Sequence, residues 1–89
     1  MAHDYEIMGF GPGIYRAVHV SRIEKGIKNC SHLVSHLKMN EEVDIVDMVM
    51  HGSYLRGQLD NGTWTTIHKI TSGGVFFASM DRFVMFSFL

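Results

Sequence analysis

Residues 43–68 read VDIVDMVMHGSYLRGQLDNGTWTTIH, and the two glycine-bearing turns in this stretch decide the fold. Asp60-Asn61-Gly62 stands between two runs of strand-forming residues. Asn and Gly tolerate the positive φ that a type I′ hairpin turn demands and most residues resist. Upstream, Tyr54, Arg56 and Gln58 alternate with Leu55, Gly57 and Leu59. Downstream, TWTTIH is rich in β-branched and aromatic side chains that suit a pleated surface. His51-Gly52-Ser53 supplies a second short turn, so three antiparallel strands are expected. Residues 43–50 also fit a helical stripe through Val43, Val46 and Met50. Their β-branched content, and the hairpin that follows directly, favour a strand. On that strand Val43, Ile45, Asp47 and Val49 share one face, and Asp44, Val46, Met48 and Met50 share the other. A strand apolar on both faces is covered on both, as in a small barrel.

Working outward, residues 14–20 (IYRAVHV) alternate as a first strand. Before them, GFGPG at 9–13 holds three glycines and the only proline. No Lys or helix start follows at phosphate-loop spacing, so it reads as a turn. Residues 21–31 (SRIEKGIKNCS) are polar, with Gly26 and Asn29 as breakers. They are expected as a long connecting loop, which in a small barrel borders the binding surface. Residues 32–39 give a short strand or a turn, and Asn40-Glu41-Glu42 turns into the central meander. Past the meander come a loop at 69–74, a strand at 75–80, a turn at Asp81-Arg82 and an apolar run at 83–89. Left open to water, that run would be a sticky edge. The expected organisation is a loose lead-in over 1–12 and one all-β domain over 13–80. Residues 81–89 then form a C-terminal apolar strand or the start of a further region.

A chain of 89 residues makes one domain, burying roughly 60–65% of its unfolded surface. A hydrophobic fraction of 46% excludes disorder. Eight basic and nine acidic residues leave a formal net charge of −1 with no basic run, which argues against a nucleic-acid partner. Cys30 is the one cysteine, so no intrachain disulfide forms. The opening MAHDYEIMGF lacks the basic-then-apolar pattern of a signal peptide. The longest apolar stretch, 75–89, is broken by Asp81-Arg82 and is shorter than the ~20 residues that span a bilayer. The expectation is a cytoplasmic protein without a membrane partner.

Six histidines bring metal chemistry into question. Cys30, His32 and His36 make a C-x-H-x3-H cluster, and zinc takes three or four such ligands. On a strand His32 and His36 share a face but lie ~13 Å apart, so neither a metal nor another cofactor is expected. A thiol enzyme would pair Cys30 with a histidine and a third orienting group, and nothing in the sequence singles out that set. Asp44 and Asp47 fall on opposite strand faces, which does not suit an acid–base pair. For binding, Trp64, Tyr54 and Arg56 lie across the hairpin, with His51 at the neighbouring turn. Cross-strand neighbours stand ~4.5–5.5 Å apart, so these four could outline an aromatic–cationic surface for a peptide. The competing and favoured reading of Trp64 puts it in the core, with Arg56 along its ring.

With the strands placed, the order of residues over 14–78 resembles the bacterial-type SH3 domain family and its SH3-like relatives. IYRAVHV resembles that family's first strand. SHLVSHLKMNEEVDIVDMV looks like its short strand, polar turn and Val-rich strand. YLRGQLDNGTWTTI resembles its hairpin, and GGVFFA its closing strand. The resemblance implies a small SH3-like antiparallel barrel of five to six strands whose usual role is recognition. The Ala-Leu-Tyr-Asp-Tyr motif, paired tryptophans and late Pro-Tyr of the polyproline-binding branch are missing, so PxxP recognition is not carried over. The expected function is a non-enzymatic interaction module. It would bind a peptide or partner protein through the loops at 21–31 and 51–53 and the hairpin face. Two alternatives stand beside it: a metal- or thiol-dependent enzyme using Cys30, His32 and His36, and a structural protein that forms homo-oligomers through its C-terminal strand.

Overall fold

The computed structural model describes residues 9–28, 30–70, 76–78 and 80–82, which form one antiparallel sheet without a helix. The strands are β1 (Gly13–Ala17), β2 (Ser21–Glu24), β3 (Leu33–Leu37), β4 (Glu42–His51), β5 (Tyr54–Leu59), β6 (Trp64–Ile70), β7 (Phe76–Ala78) and β8 (Met80–Arg82). Their order across the sheet is β3-β2-β6-β5-β4-β1-β8, with β7 paired to β6. Of the expected lead-in over 1–12, residues 1–8 lie outside the described residues, as does the apolar run at 83–89; within 9–12, Phe10 packs against the core and Gly11 O accepts from the Tyr15 hydroxyl (2.6 Å).

The meander is β4-β5-β6, joined by the two predicted turns. At the first, Gly52 alone takes positive φ (60°) between the paired residues His51 and Tyr54. That is the requirement of a type II′ turn. The second turn differs from expectation. Gly62 has φ 88°, while Asn61 is not in the left-handed region. The Leu59 amide donates to Thr63 O (2.8 Å), so the loop spans three residues, and the Gly62 amide donates to Leu59 O (2.9 Å). Asn61 Oδ1 accepts from the Thr63 amide (3.0 Å) and the Thr63 hydroxyl (2.6 Å). The Asn side chain thus caps the turn itself, and only the glycine supplies the left-handed residue.

Three irregularities in the pairing shape the sheet. In β4, Ile45 pairs with Leu59 and Asp47 with Gln58, so Val46 is an extra residue. A bulge of this kind swaps which alternate residues point inward. Ile45 is therefore buried before it and Met48 after it, while Val46 is exposed. The two apolar faces read from the sequence are one inward face that changes parity. A second shift in β6, between the partners of Leu55 and Arg56, inserts the fully buried Ile67. A third, in β3, falls at Val34.

Two expected connections are strands, and of the loop expected at 69–74 Lys69 and Ile70 belong to β6 while 71–74 lie outside the described residues. Ser21–Glu24 is β2, with Ser21, Ile23 and Glu24 buried. Asp81 and Arg82 belong to β8, where they pair with Arg16 and Tyr15. Two polar residues in succession suggest a turn, but an antiparallel ladder needs only their backbone.

The core gathers Tyr15, Ala17, Ile23, Leu37, Ile45, Met48, Leu55, Leu59 and Ile67. Gly57 lies in its middle. A Cβ there would stand 2.5 Å from Ile67 Cδ1 and 3.0 Å from Ile45 Cγ2. Both isoleucines are fully buried, so any shift that makes room must be taken up within the packed core. Replacing Gly57 by Ala should lower stability by roughly 1–3 kcal/mol through overpacking, read from the urea midpoint. Adding Ile67→Val should recover part of the loss. An unchanged midpoint for Gly57→Ala would refute the close packing.

Candidate binding site

β2 and β3 form a hairpin arm whose backbone pairing to the main sheet is the single pair Glu24–Trp64. Side chains supply the remaining anchorage. The Thr65 hydroxyl donates to Arg22 O (2.9 Å). Arg56 Nη2 donates to Glu24 Oε1 at 2.7 Å, an ion pair with both side chains only 1% exposed. The same guanidinium donates through Nε to Ile27 O (2.8 Å), through Nη1 to Thr66 Oγ1 (2.6 Å) and through Nη2 to Gly26 O (3.2 Å). A buried charge persists only when paired and hydrogen-bonded, and here a planar fork meets four acceptors on three segments of chain. Ser31 closes the loop below, its hydroxyl donating to Gly26 O and accepting from the Gly26 amide, both at 3.1 Å.

Between this arm and the meander lies an open depression of about 250 Å³, lined by Val20, Ser21, Arg22, Glu24, Tyr54, Thr66 and Lys69. Tyr54 and Lys69 are cross-strand partners, and Lys69 Nζ stands 5.5 Å from the Tyr54 ring centroid, within cation–π range. Arg22 Nε contacts the second Glu24 oxygen, Oε2, at 3.2 Å, with its side chain 46% exposed. Val20 is 67% exposed at the rim.

The four residues expected to form one binding surface are divided. Tyr54 lines the depression. His51 pairs with Tyr54 across the first turn and is exposed. Arg56 is fully buried and Trp64 is 7% exposed, so neither offers a face to a peptide. The face assignment of Arg56 was legible, since its strand partner is Thr66 and it alternates with Gly57. Its cover was not, because the loop carbonyls that bury it come from residues 26 and 27. Lys69 and Arg22 are the cations beside Tyr54. Lys69 lies one residue past the predicted strand end, and it stands opposite Tyr54 only because Ile67 is an extra residue in β6, which no regular register predicts; Arg22 was hidden in a segment read as loop. Cys30, His32 and His36 are each exposed. Among the described residues no group of three His, Cys, Asp or Glu is placed to hold a metal ion.

Breaking the Glu24–Arg56 pair from one side leaves a buried charge without its counterion, costing about 3–5 kcal/mol. Glu24→Gln and Arg56→Met should each show a loss of that order in urea unfolding. The double variant Glu24→Leu/Arg56→Met should lose less than the two single losses combined. Strictly additive losses would mean that the pair does not act as a unit. Compared with protein-family models, with curated proteins and with solved structures, the chain matches none.

Proposed function

We propose that this chain is a non-enzymatic SH3-like interaction module that binds a peptide or a partner protein at the depression between the β2-β3 arm and the meander. The barrel part of this reading is supported by the C-terminal pairing. Within β6-β5-β4-β1, the outer strands β6 and β1 are reached by β7 and β8, which only Ser79 separates. A single segment touching both ends of that run is what closure needs.

The observation that carries the binding reading is the half-buried Tyr54 ring held by its cross-strand cation in an open depression. At about 250 Å³ the depression is smaller than the ~300–1,000 Å³ of most small-molecule sites. Its openness suits side chains of a passing segment better than an enclosed substrate. A rigid aromatic ring contributes contact area at low entropic cost, which is why Tyr recurs at recognition surfaces. The module is assigned to the cytoplasm, where an exposed thiol such as Cys30 stays reduced.

Selecting a displayed random-peptide library on the full chain, then titrating an enriched peptide into ¹⁵N-labelled protein, tests the reading. Shifts should cluster at residues 20–24, Tyr54, Thr66 and Lys69. Tyr54→Ala should weaken binding by about 5–30-fold, the 1–2 kcal/mol of a modest hot spot. No enrichment, or shifts confined to β4 and β1, would overturn it.

A further inference from the structure

We infer that the segment taken up by this depression is acidic: an extended peptide that sets an aromatic or aliphatic side chain against Tyr54 and a carboxylate between Arg22 and Lys69. The inference rests on the binding reading above and adds the chemistry of the partner.

The charge count at the site carries it. Arg22, Lys69 and Glu24 line the depression, and Arg56 lies directly behind Glu24. Three cations therefore stand against one carboxylate, in a chain whose formal net charge is −1. The carboxylate is occupied. One Glu24 oxygen faces Arg56 at 2.7 Å and the other faces Arg22 at 3.2 Å, with the side chain only 1% exposed. A basic ligand would find no accessible anion there among the described residues. Among the described residues the exposed charged groups are the Lys69 ammonium and the outer part of the Arg22 guanidinium, whose Nε contact to Glu24 leaves the other nitrogens to reach a second carboxylate.

The surroundings carry a similar bias: Lys25 and Lys28 are exposed on the arm that carries Arg22, whereas Glu41, Glu42, Asp44 and Asp47 are exposed on and just before β4, where Lys38 and Arg16 offset part of their charge. In the sheet order β2 and β4 are separated by β6 and β5. An acidic segment therefore meets more attraction at the arm than at β4, which favours the depression as its location. Two exposed cations beside one aromatic ring are too few for the phosphate track that holds a nucleic acid.

Three eight-residue peptides test this on the full chain. Each carries the same two tyrosines, with the remaining positions split between Ser and either Glu, Gln or Lys. The Glu peptide should shift the amides of Arg22, Tyr54 and Lys69. It should bind at least tenfold tighter than the Gln peptide, and its affinity should fall several-fold between 50 and 300 mM salt. Lys69→Glu, at an exposed position, should abolish the preference for Glu over Gln; Lys69→Gln should reduce it. Equal binding of the Glu and Gln peptides, or tighter binding of the Lys peptide, overturns the acidic assignment and leaves a peptide site standing. The same holds if library selection yields binders without acidic residues. Failure of every peptide, selected or designed, removes the binding reading itself. An oligonucleotide that displaces the Glu peptide at equal charge would likewise overturn the assignment.

Discussion

The Glu24–Arg56 ion pair is the constraint on which the remaining architecture depends. The β2-β3 arm has one backbone pair to the main sheet and sends Ile23 and Leu37 into the core, contacts that carry little direction of their own. The guanidinium reaches from β5 to the end of β2, to the loop at Gly26 and Ile27, and to Thr66 on β6. Desolvating two charges offsets most of their attraction, so such a pair adds little net stability over an apolar equivalent. Its contribution is positional. A planar fork satisfied on several sides admits one placement of the arm. A hydrophobic contact in its place would admit several.

That placement makes the depression. Val20, Ser21 and Arg22 come from the arm, and Tyr54, Thr66 and Lys69 from the meander. The two walls meet in the clamp, since Thr66 Oγ1 and Glu24 are both Arg56 partners and both line the site. A shift of the arm would therefore open or close the site along with the ion pair. The inner face of the meander is held separately by Ile45, Ile67 and the absent side chain of Gly57. Core packing and site geometry thus sit on opposite faces of β5, alternating along Tyr54–Leu59.

The meander was legible because its signals are local. Gly52 and Gly62 mark turns by backbone freedom, and the strands between them are rich in side chains that favour extended backbone. β2 was not legible for a physical reason. A strand is recognised by apolar side chains directed inward, and in SRIE only Ile23 is apolar. Glu24 is inward as well, but its burial depends on an arginine 32 residues away. No window along the chain contains both. The bulge at Val46 was hidden likewise. The alternation of residues 43–50 is apolar on both faces, and only the pairing with β5 decides where the inward face changes. The aromatic–cationic surface was expected in kind, yet its cations are Arg22 and Lys69, because the arginine chosen from alternation is consumed inside.

The electrostatics of the site follow from the same consumption. A protein with near-balanced charge gains a local positive surface by turning a carboxylate inward. Glu24 directs one oxygen to Arg56 and the other to Arg22, so it presents no open anion to a ligand. Removing one anion from the accessible surface has much the same effect as adding one cation there, and it needs no basic run in the sequence. Lys69, held over Tyr54 by the cross-strand pairing, then acts against little competing negative charge. The ion pair that orients the arm is therefore also the reason the depression presents cations. Structural order and charge preference at this site are two consequences of one buried contact.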